Sequence, residues 1–281
     1  MRTTLGLALF FFATPLWAQS GPFAPQVNSS AISPGYVISP GADAAIPWNS
    51  PSIAEWASAV VGTPTYGTNS SASFHNLAFA VGPTHALPAI SKTTGLPNLG
   101  NPINDIVSLG QDGSITVTFA SPIVDGPGND FAVFSNGFLD GWPNAFSKFA
   151  TVSVSSDGVN YFPFPNNFDE SSLISSELFD ASELNNIAGK YVVGFGTPFD
   201  LNELAGVTSL LNVDDVQYVR VTDAWNAVDS NGNPILDDPE STVGFNFAGI
   251  AVLNDVASVP EPSAWIMAAV SFLPLLWFRW N

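Results

Sequence analysis

Ser114-Ile115-Thr116-Val117-Thr118-Phe119 decides the fold class. Ile115, Val117 and Phe119 alternate with Ser114, Thr116 and Thr118, the period of a strand with one face buried and one face wet. The same alternation returns in Thr151-Val152-Ser153-Val154-Ser155, and again where Gln217-Tyr218-Val219-Arg220-Val221-Thr222 puts Val219 and Val221 on one face. Phe131-Ala132-Val133-Phe134 is apolar on both faces and predicts a central strand. Ser156-Asp157-Gly158 is a turn leading into Val159-Asn160-Tyr161-Phe162, which predicts a hairpin. Tyr191 to Phe195 and Phe245 to Leu253 complete the set of expected strands.

Outward from these segments, 23 glycines and 23 prolines punctuate the chain, and no repeat of solenoid or propeller length appears. Many strands joined by such turns predict an all-β protein, an antiparallel β-sandwich with one or two short helices. One helix is expected near Ser50, which can cap, with Pro51 at the first turn and Ile53, Trp56, Ala57 and Val60 on one face. A second is expected within residues 169–187, where Leu173, Ile174, Glu177 and Leu178 have workable spacing.

Composition removes several function classes. The 281 residues carry 24 acids against 6 Lys and Arg, a formal net charge of -18, so nucleic acid is excluded as a partner. There is no cysteine, hence no disulfide scaffold, Cys nucleophile or thiolate metal site. The two histidines, His75 and His85, sit in loop-rich sequence without a third ligand or a His-Glu-x-x-His motif. No Gly-x-Ser-x-Gly elbow and no phosphate-binding glycine loop is present. The expectation is a non-catalytic protein. The alternative is a glycoside hydrolase, which needs only two suitably spaced carboxylates, one of them buried.

The ends give an address. Arg2, an apolar stretch from Leu5 to Leu16 and then Trp17-Ala18-Gln19 form a secretory signal peptide over residues 1–18, cleaved between Ala18 and Gln19 and engaging the Sec translocon. Residues 19–47, rich in Pro, Gly, Ser and Ala, read as a leader or linker. At the other end, Val259-Pro260-Glu261-Pro262-Ser263 precedes an apolar run from Ala264 to Phe278 and then Arg279-Trp280-Asn281. At about 1.5 Å per residue that run spans roughly 22 Å as a helix, short of the roughly 30 Å hydrocarbon core, with Arg279 as the membrane stop.

This tripartite tail, residues 257–281, resembles the PEP-CTERM sorting signal of Gram-negative bacteria that make extracellular polysaccharide. The resemblance implies recognition of Val259, Pro260, Glu261 and Pro262 by exosortase. It also implies a transient inner-membrane anchor and removal of the tail, with the mature chain at the cell surface or in the extracellular, biofilm matrix. Residues 48–256 form the expected sandwich domain. Ile53-Ala54-Glu55-Trp56-Ala57, Val107-Ser108-Leu109-Gly110, Asp125-Gly126-Pro127-Gly128-Asn129-Asp130-Phe131, Phe199-Asp200-Leu201 and Tyr218-Val219-Arg220-Val221 resemble secreted bacterial cell-surface proteins with a discoidin-like or galactose-binding-like jelly-roll domain. That resemblance implies a jelly-roll fold. The chain departs from it at Ser135 and at Gly244-Phe245-Asn246-Phe247-Ala248, where carboxylates are missing, which weakens any shared metal site.

Within residues 19–258 only Lys92, Lys148, Lys190 and Arg220 face 23 acids, a density that suggests calcium and that acidic solvation alone also accounts for. The sharpest pattern is Asp229-Ser230-Asn231-Gly232-Asn233 followed by Asp237: oxygen-bearing Asp229, Asn231, Asn233 and Asp237 around a glycine turn suit calcium. An Asx turn without metal fits the same residues. Asp125, Asp130 and Asp200 are weaker metal candidates, and Asp200 with Glu203 also fits a capping box. Phe138, Trp142, Phe146 and Trp225 fall in loops where aromatic faces can stack on sugars, so extracellular polysaccharide is a candidate ligand. A matrix filler without a specific ligand is the remaining reading.

Overall fold

The computed structural model describes residues 45–255 except 91, 93–96, 140–144, 169–172, 176–177, 180–183 and 236–243. The signal peptide with Ala18 and Gln19, the sorting motif Val259, Pro260, Glu261 and Pro262, the membrane stop Arg279, and also Trp142 and Asp237, lie outside the described residues. Among the described residues no helix is long and apolar enough to cross a membrane.

Two antiparallel sheets dominate. The first runs β1 (Ile46–Pro47), β15 (Phe195–Phe199), β8 (Phe131–Ser135), β17 (Asn246–Val252), β2 (Glu55–Trp56), with β6 (Val107–Ser108) also on β17. The second runs β12 (Phe162–Pro163), β11 (Ala150–Ser155), β16 (Val216–Asp223), β7 (Ser114–Ile123), β3 (Ala59–Val60). A small sheet joins β13 (Leu173–Ser175), β14 (Leu178–Phe179), β10 (Ala145–Phe146) and β9 (Phe138–Leu139), and β4 (Pro88–Ile90) pairs with β5 (Pro97–Pro102). β1 takes up Ile46–Pro47, so the sheet starts inside the stretch that reads as linker.

Register explains the core. In the second sheet Val152 pairs with Val221, Val154 with Val219, Val219 with Val117 and Val221 with Ile115, so one face is a continuous apolar row. That row packs against Phe131, Val133, Ile250 and Val252 of the first sheet in one buried cluster. Ala132, Phe134 and Ala251 point the other way, into a second cluster with Phe149, Tyr191 and Val192. The first sheet is therefore buried on both faces, which is why β8 shows no alternation. Each large apolar side chain removed from water here contributes on the order of 1.5–3 kcal/mol.

Three expectations are corrected. The helix near Ser50 is absent: the Ser50 Oγ accepts from the Ser52 N–H in a local turn, and Ala54 N, β2 and Ala57 N then bond to β17. The apolar spacing that suggested one helical face instead sends Trp56 and Ala57 to opposite cores, because sheet pairing outweighs weak local helix preference. Within residues 169–187 the described segments include β13 and β14, not a helix. The strand expected from Tyr191 starts only at Phe195, because Gly194 takes φ +85° and Phe195 N closes a turn onto the Val192 carbonyl. Regular helix among the described residues is limited to 3-10 turns at Ala72–Phe74, Leu77–Ala80 and Leu201–Leu204.

Candidate functional site

The register that builds the first sheet also builds an acidic cluster. Phe131 of β8 pairs with both Phe199 of β15 and Val252 of β17. Asp130 precedes Phe131 and Asp200 follows Phe199, so antiparallel pairing sets these two acids side by side at one end of the sheet. Asp125 reaches the same place on the loop that leaves β7, held by its N–H on the Val213 carbonyl. Carboxylate oxygens of Asp125, Asp130 and Asp200 all lie within 4.8 Å of one another.

Asp130 is fixed from three sides. Its Oδ1 accepts from Gly126 N at 2.8 Å and Asn254 Nδ2 at 2.9 Å, and its Oδ2 from Leu201 N at 2.7 Å. Its own carbonyl accepts from Leu253 N and Asn254 N. Gly126 permits this packing, since a Cβ there would stand 2.5 Å from the Asn254 side chain. Burial pushes the Asp130 carboxyl up to about 6, Asp200 adds to the rise, and the N–H donors oppose it. Asp125 is also raised, by burial first and then by the charges of Asp200 and Asp214. Asp200 caps the 3-10 turn at Leu201–Leu204 by accepting from Asn202 N at 2.9 Å, the structural role that its sequence context suggests. Glu203 does not complete a capping box; its carboxylate accepts from the Asn186 amide.

Free lone pairs decide what such a cluster can hold. A carboxylate has about four acceptor positions. Asp130 uses three and Asp200 one, while the Asp125 carboxylate has no hydrogen-bond partner among the described residues. At an effective dielectric constant of about 20, two unit charges 4.8 Å apart repel by roughly 3–4 kcal/mol, less where water reaches them. A hard cation with oxygen ligands removes that repulsion, and all three side chains offer oxygen.

The loop at Asp229 is built differently. Asp229 Oδ1 accepts from Asn231 N at 2.9 Å and Asn233 N at 2.8 Å; Oδ2 accepts from Phe168 N at 3.2 Å and Asn233 Nδ2 at 3.1 Å. Those four donors fill its acceptor positions. Burial works against its charge, but the donors outweigh it and hold the carboxyl at about 2. Asn231 turns its amide onto Asn167 Oδ1. Asp229 thus closes an Asx turn that ties this loop to Phe168, with Asp237 outside the described residues.

Other candidates resolve into structural parts. Asp223 is buried and accepts from the backbone N–H groups of Asp112, Trp225 and Phe245, while Arg220 donates to Thr116 Oγ1 and stacks over Tyr161 at 3.6 Å. His75 stacks on Tyr66 and lies 2.6 Å from Ser70 Oγ, a pair that sequence reasoning missed. The Ser70 hydroxyl donates its single proton to the Ser108 carbonyl at 2.7 Å, so His75 Nε2 is the donor to Ser70. A histidine that donates to a serine is not acting as its base, and the pair reads as a loop staple. Phe138 and Phe146 stack with centroids 4.8 Å apart.

Compared with known proteins, the chain matches no family model and no curated protein.

Proposed function

We propose that this chain is a non-catalytic, exported surface or matrix protein. Its sandwich is of jelly-roll type, exosortase sorts it through Pro260-Glu261-Pro262, and calcium stabilises it at Asp125, Asp130 and Asp200. One observation carries the calcium part: three carboxylates from three separate segments converge within 4.8 Å, with acceptor positions left open on each. The donor set is all oxygen, which suits a hard cation that tolerates irregular geometry. Millimolar extracellular calcium suffices for a site of this modest charge count. The place of the cluster supports a stabilising role, because a cation there would join the ends of β7, β8 and β15.

Calcium titration of the full-length chain, followed by thermal melting, tests this reading. A ligand bound only by the native state raises the melting temperature, by about 2.7 kcal/mol of stability at a hundredfold excess over Kd. The rise is expected in the parent protein and lost in Asp125→Asn with Asp200→Asn. No rise in the parent at several millimolar calcium refutes the site.

The second reading, a carbohydrate-active enzyme, draws on the same cluster, because a buried acid beside a half-buried one is the pattern of a glycosidase pair. Against it, Asp130 is fully buried and three of its acceptor positions are occupied by the protein. Release of reducing sugar from an acidic or neutral exopolysaccharide by the parent protein, lost in Asp125→Asn, would establish that reading in place of the first.

A further inference from the structure

We infer that the outer face of the second sheet, centred on Arg220, is a docking surface for an acidic polysaccharide, with a uronate carboxylate seated on the Arg220 guanidinium. This deepens the surface-or-matrix reading, on which it rests for the polymer the chain would meet, and it uses none of the acids of the calcium cluster.

Strand register lays the surface out. β16 lies at the centre of the second sheet, between β11 and β7. Its Val219 and Val221 enter the core, so Tyr218, Arg220 and Thr222 face the other way. Ser153 and Thr116 stand directly opposite Arg220 on the two neighbouring strands. The rows on either side are Ser155–Tyr218–Thr118 and Thr151–Thr222–Ser114. Arg220 is therefore the centre of a three-by-three grid in which every other residue carries a hydroxyl and none carries a charge. Ser155 is buried and bonded into the turn at Asp157, and the other positions are half-buried. With strands about 4.8 Å apart and a rise of about 3.3 Å per residue, the grid measures roughly 10 by 13 Å, room for a stretch of polymer and not merely one small ion.

Hydroxyls on a wet sheet face are ordinary; an arginine among them with no acid is not. Opposite charges directly across strands support a sheet, and residues 19–258 hold 23 acids. Two acids border the grid, and both are engaged elsewhere. Asp157 accepts from Ser155 Oγ, Val159 N and Asn160 N in its own turn, and Asp223 is buried on three backbone N–H groups.

The guanidinium is held but not spent. Its Nε donates to Thr116 Oγ1 at 3.2 Å, and its Cζ lies 3.6 Å from the Tyr161 ring centroid. These contacts fix one edge and one face of the plane. The four N–H groups on its terminal nitrogens meet no acceptor among the described residues, and no acid pairs with it there. Solvent serves those donors in the free protein. What favours a ligand is that an immobilised fork loses little freedom on binding, while no carboxylate of the fold competes for it. The end that remains open is the one that takes a carboxylate through two parallel N–H···O bonds. Around it, each hydroxyl can donate once and accept twice, the complement of a sugar's own hydroxyls. A polymer that brings carboxylates and hydroxyls together on extended rings is a polyuronate.

The test is calorimetric titration of the full-length chain in detergent, with EDTA and about 0.15 M salt, which screens repulsion from the rest of the chain beyond about 8 Å. The ligands are a galacturonate trisaccharide, its neutral galactose counterpart, and acetate. Saturable uronate binding is expected, at least about tenfold tighter than either of the others. Arg220→Lys keeps the charge but gives up the planar fork, and should weaken the uronate about tenfold. Ser153→Asp leaves Arg220 and Tyr161 in place and supplies the fork with an internal carboxylate. Its melting temperature should not fall, and uronate binding should be lost; the uncharged Ser153→Asn should still bind. Four results overturn the assignment: no saturable uronate binding by the parent, acetate or the neutral sugar binding as tightly, Arg220→Lys binding like the parent, or Ser153→Asp binding like the parent. Chelator keeps the calcium site out of the measurement, so failure here, failure of the calcium melt and failure of tail processing are separate results.

Discussion

Asp130 should give this protein an unusual pH profile, most stable in mild acid when calcium is removed. The folded-state carboxyl is raised from 3.8 to about 6, so the native state binds a proton more tightly than the unfolded chain. This contribution is fully present below pH 3.8 and is lost as pH rises through about 6. A shift of about two units at about 1.4 kcal/mol per unit is at most roughly 3 kcal/mol, or about 6–12 °C in melting temperature for a domain of this size. Asp125 and Asp223 are raised as well and steepen the same slope. Asp157 and Asp229 are lowered, so their contributions are lost only below about pH 4, on the other side of the maximum. Urea unfolding of the full-length chain in EDTA, from pH 4 to 7, measures the parent slope. Asp130→Asn cannot titrate; it leaves one N–H donor without an acceptor, a roughly constant cost of about 1–3 kcal/mol, and should flatten the slope. If the parent gains stability from pH 4 to 7, or Asp130→Asn keeps the parent slope, the account of the buried acid is wrong.

Further outcomes can be checked on the same material. Five millimolar calcium should restore stability at pH 7 far more than at pH 4, where Asp130 is protonated; equal shifts at both pH values in parallel melts would contradict the cluster as the binding site. Asp223→Ala should lose about 3 kcal/mol or more in urea unfolding, because it strands the N–H groups of Asp112, Trp225 and Phe245, and a loss under 1 kcal/mol would show the clasp to be dispensable. Gly196→Ala should cost about 1–3 kcal/mol, since a Cβ there meets the Phe134 ring at 2.6 Å, and an unchanged midpoint would mean that the ring moves freely aside. Pro260→Ala combined with Glu261→Ala should leave the chain unprocessed in its host, seen as a larger species in the membrane fraction, and normal processing of that variant would remove exosortase from the proposal.

The strands were legible wherever one face is dry and one wet. Ile115, Val117, Val152, Val154, Val219 and Val221 alternate because they line one face of one sheet. β8 was legible for the opposite reason, since both of its faces are buried. The segment after Ser50 misled because two short strands separated by a bend can mimic helical spacing; which pattern wins is decided by β17, about two hundred residues away. The acidic cluster was legible only as separate residues. Asp130 and Asp200 are seventy positions apart and meet through strand register, which no local pattern reports. The Asp229 loop, by contrast, has all its oxygens close in sequence, so it looked the richer site; local proximity is also what lets its own N–H groups satisfy the carboxylate.

The end of β17 has a mechanical meaning. Leu253 N and Asn254 N both hold the Asp130 carbonyl, Asn254 holds its carboxylate, and Asp255 bridges to Ile123. Tension applied through residues beyond Asp255 would therefore load these few bonds before it reached the sheets. A cation seated among the three acids would tighten the anchorage they share, making the resistance of this end of β17 to being pulled away depend on the ionic strength and hardness of the water around it.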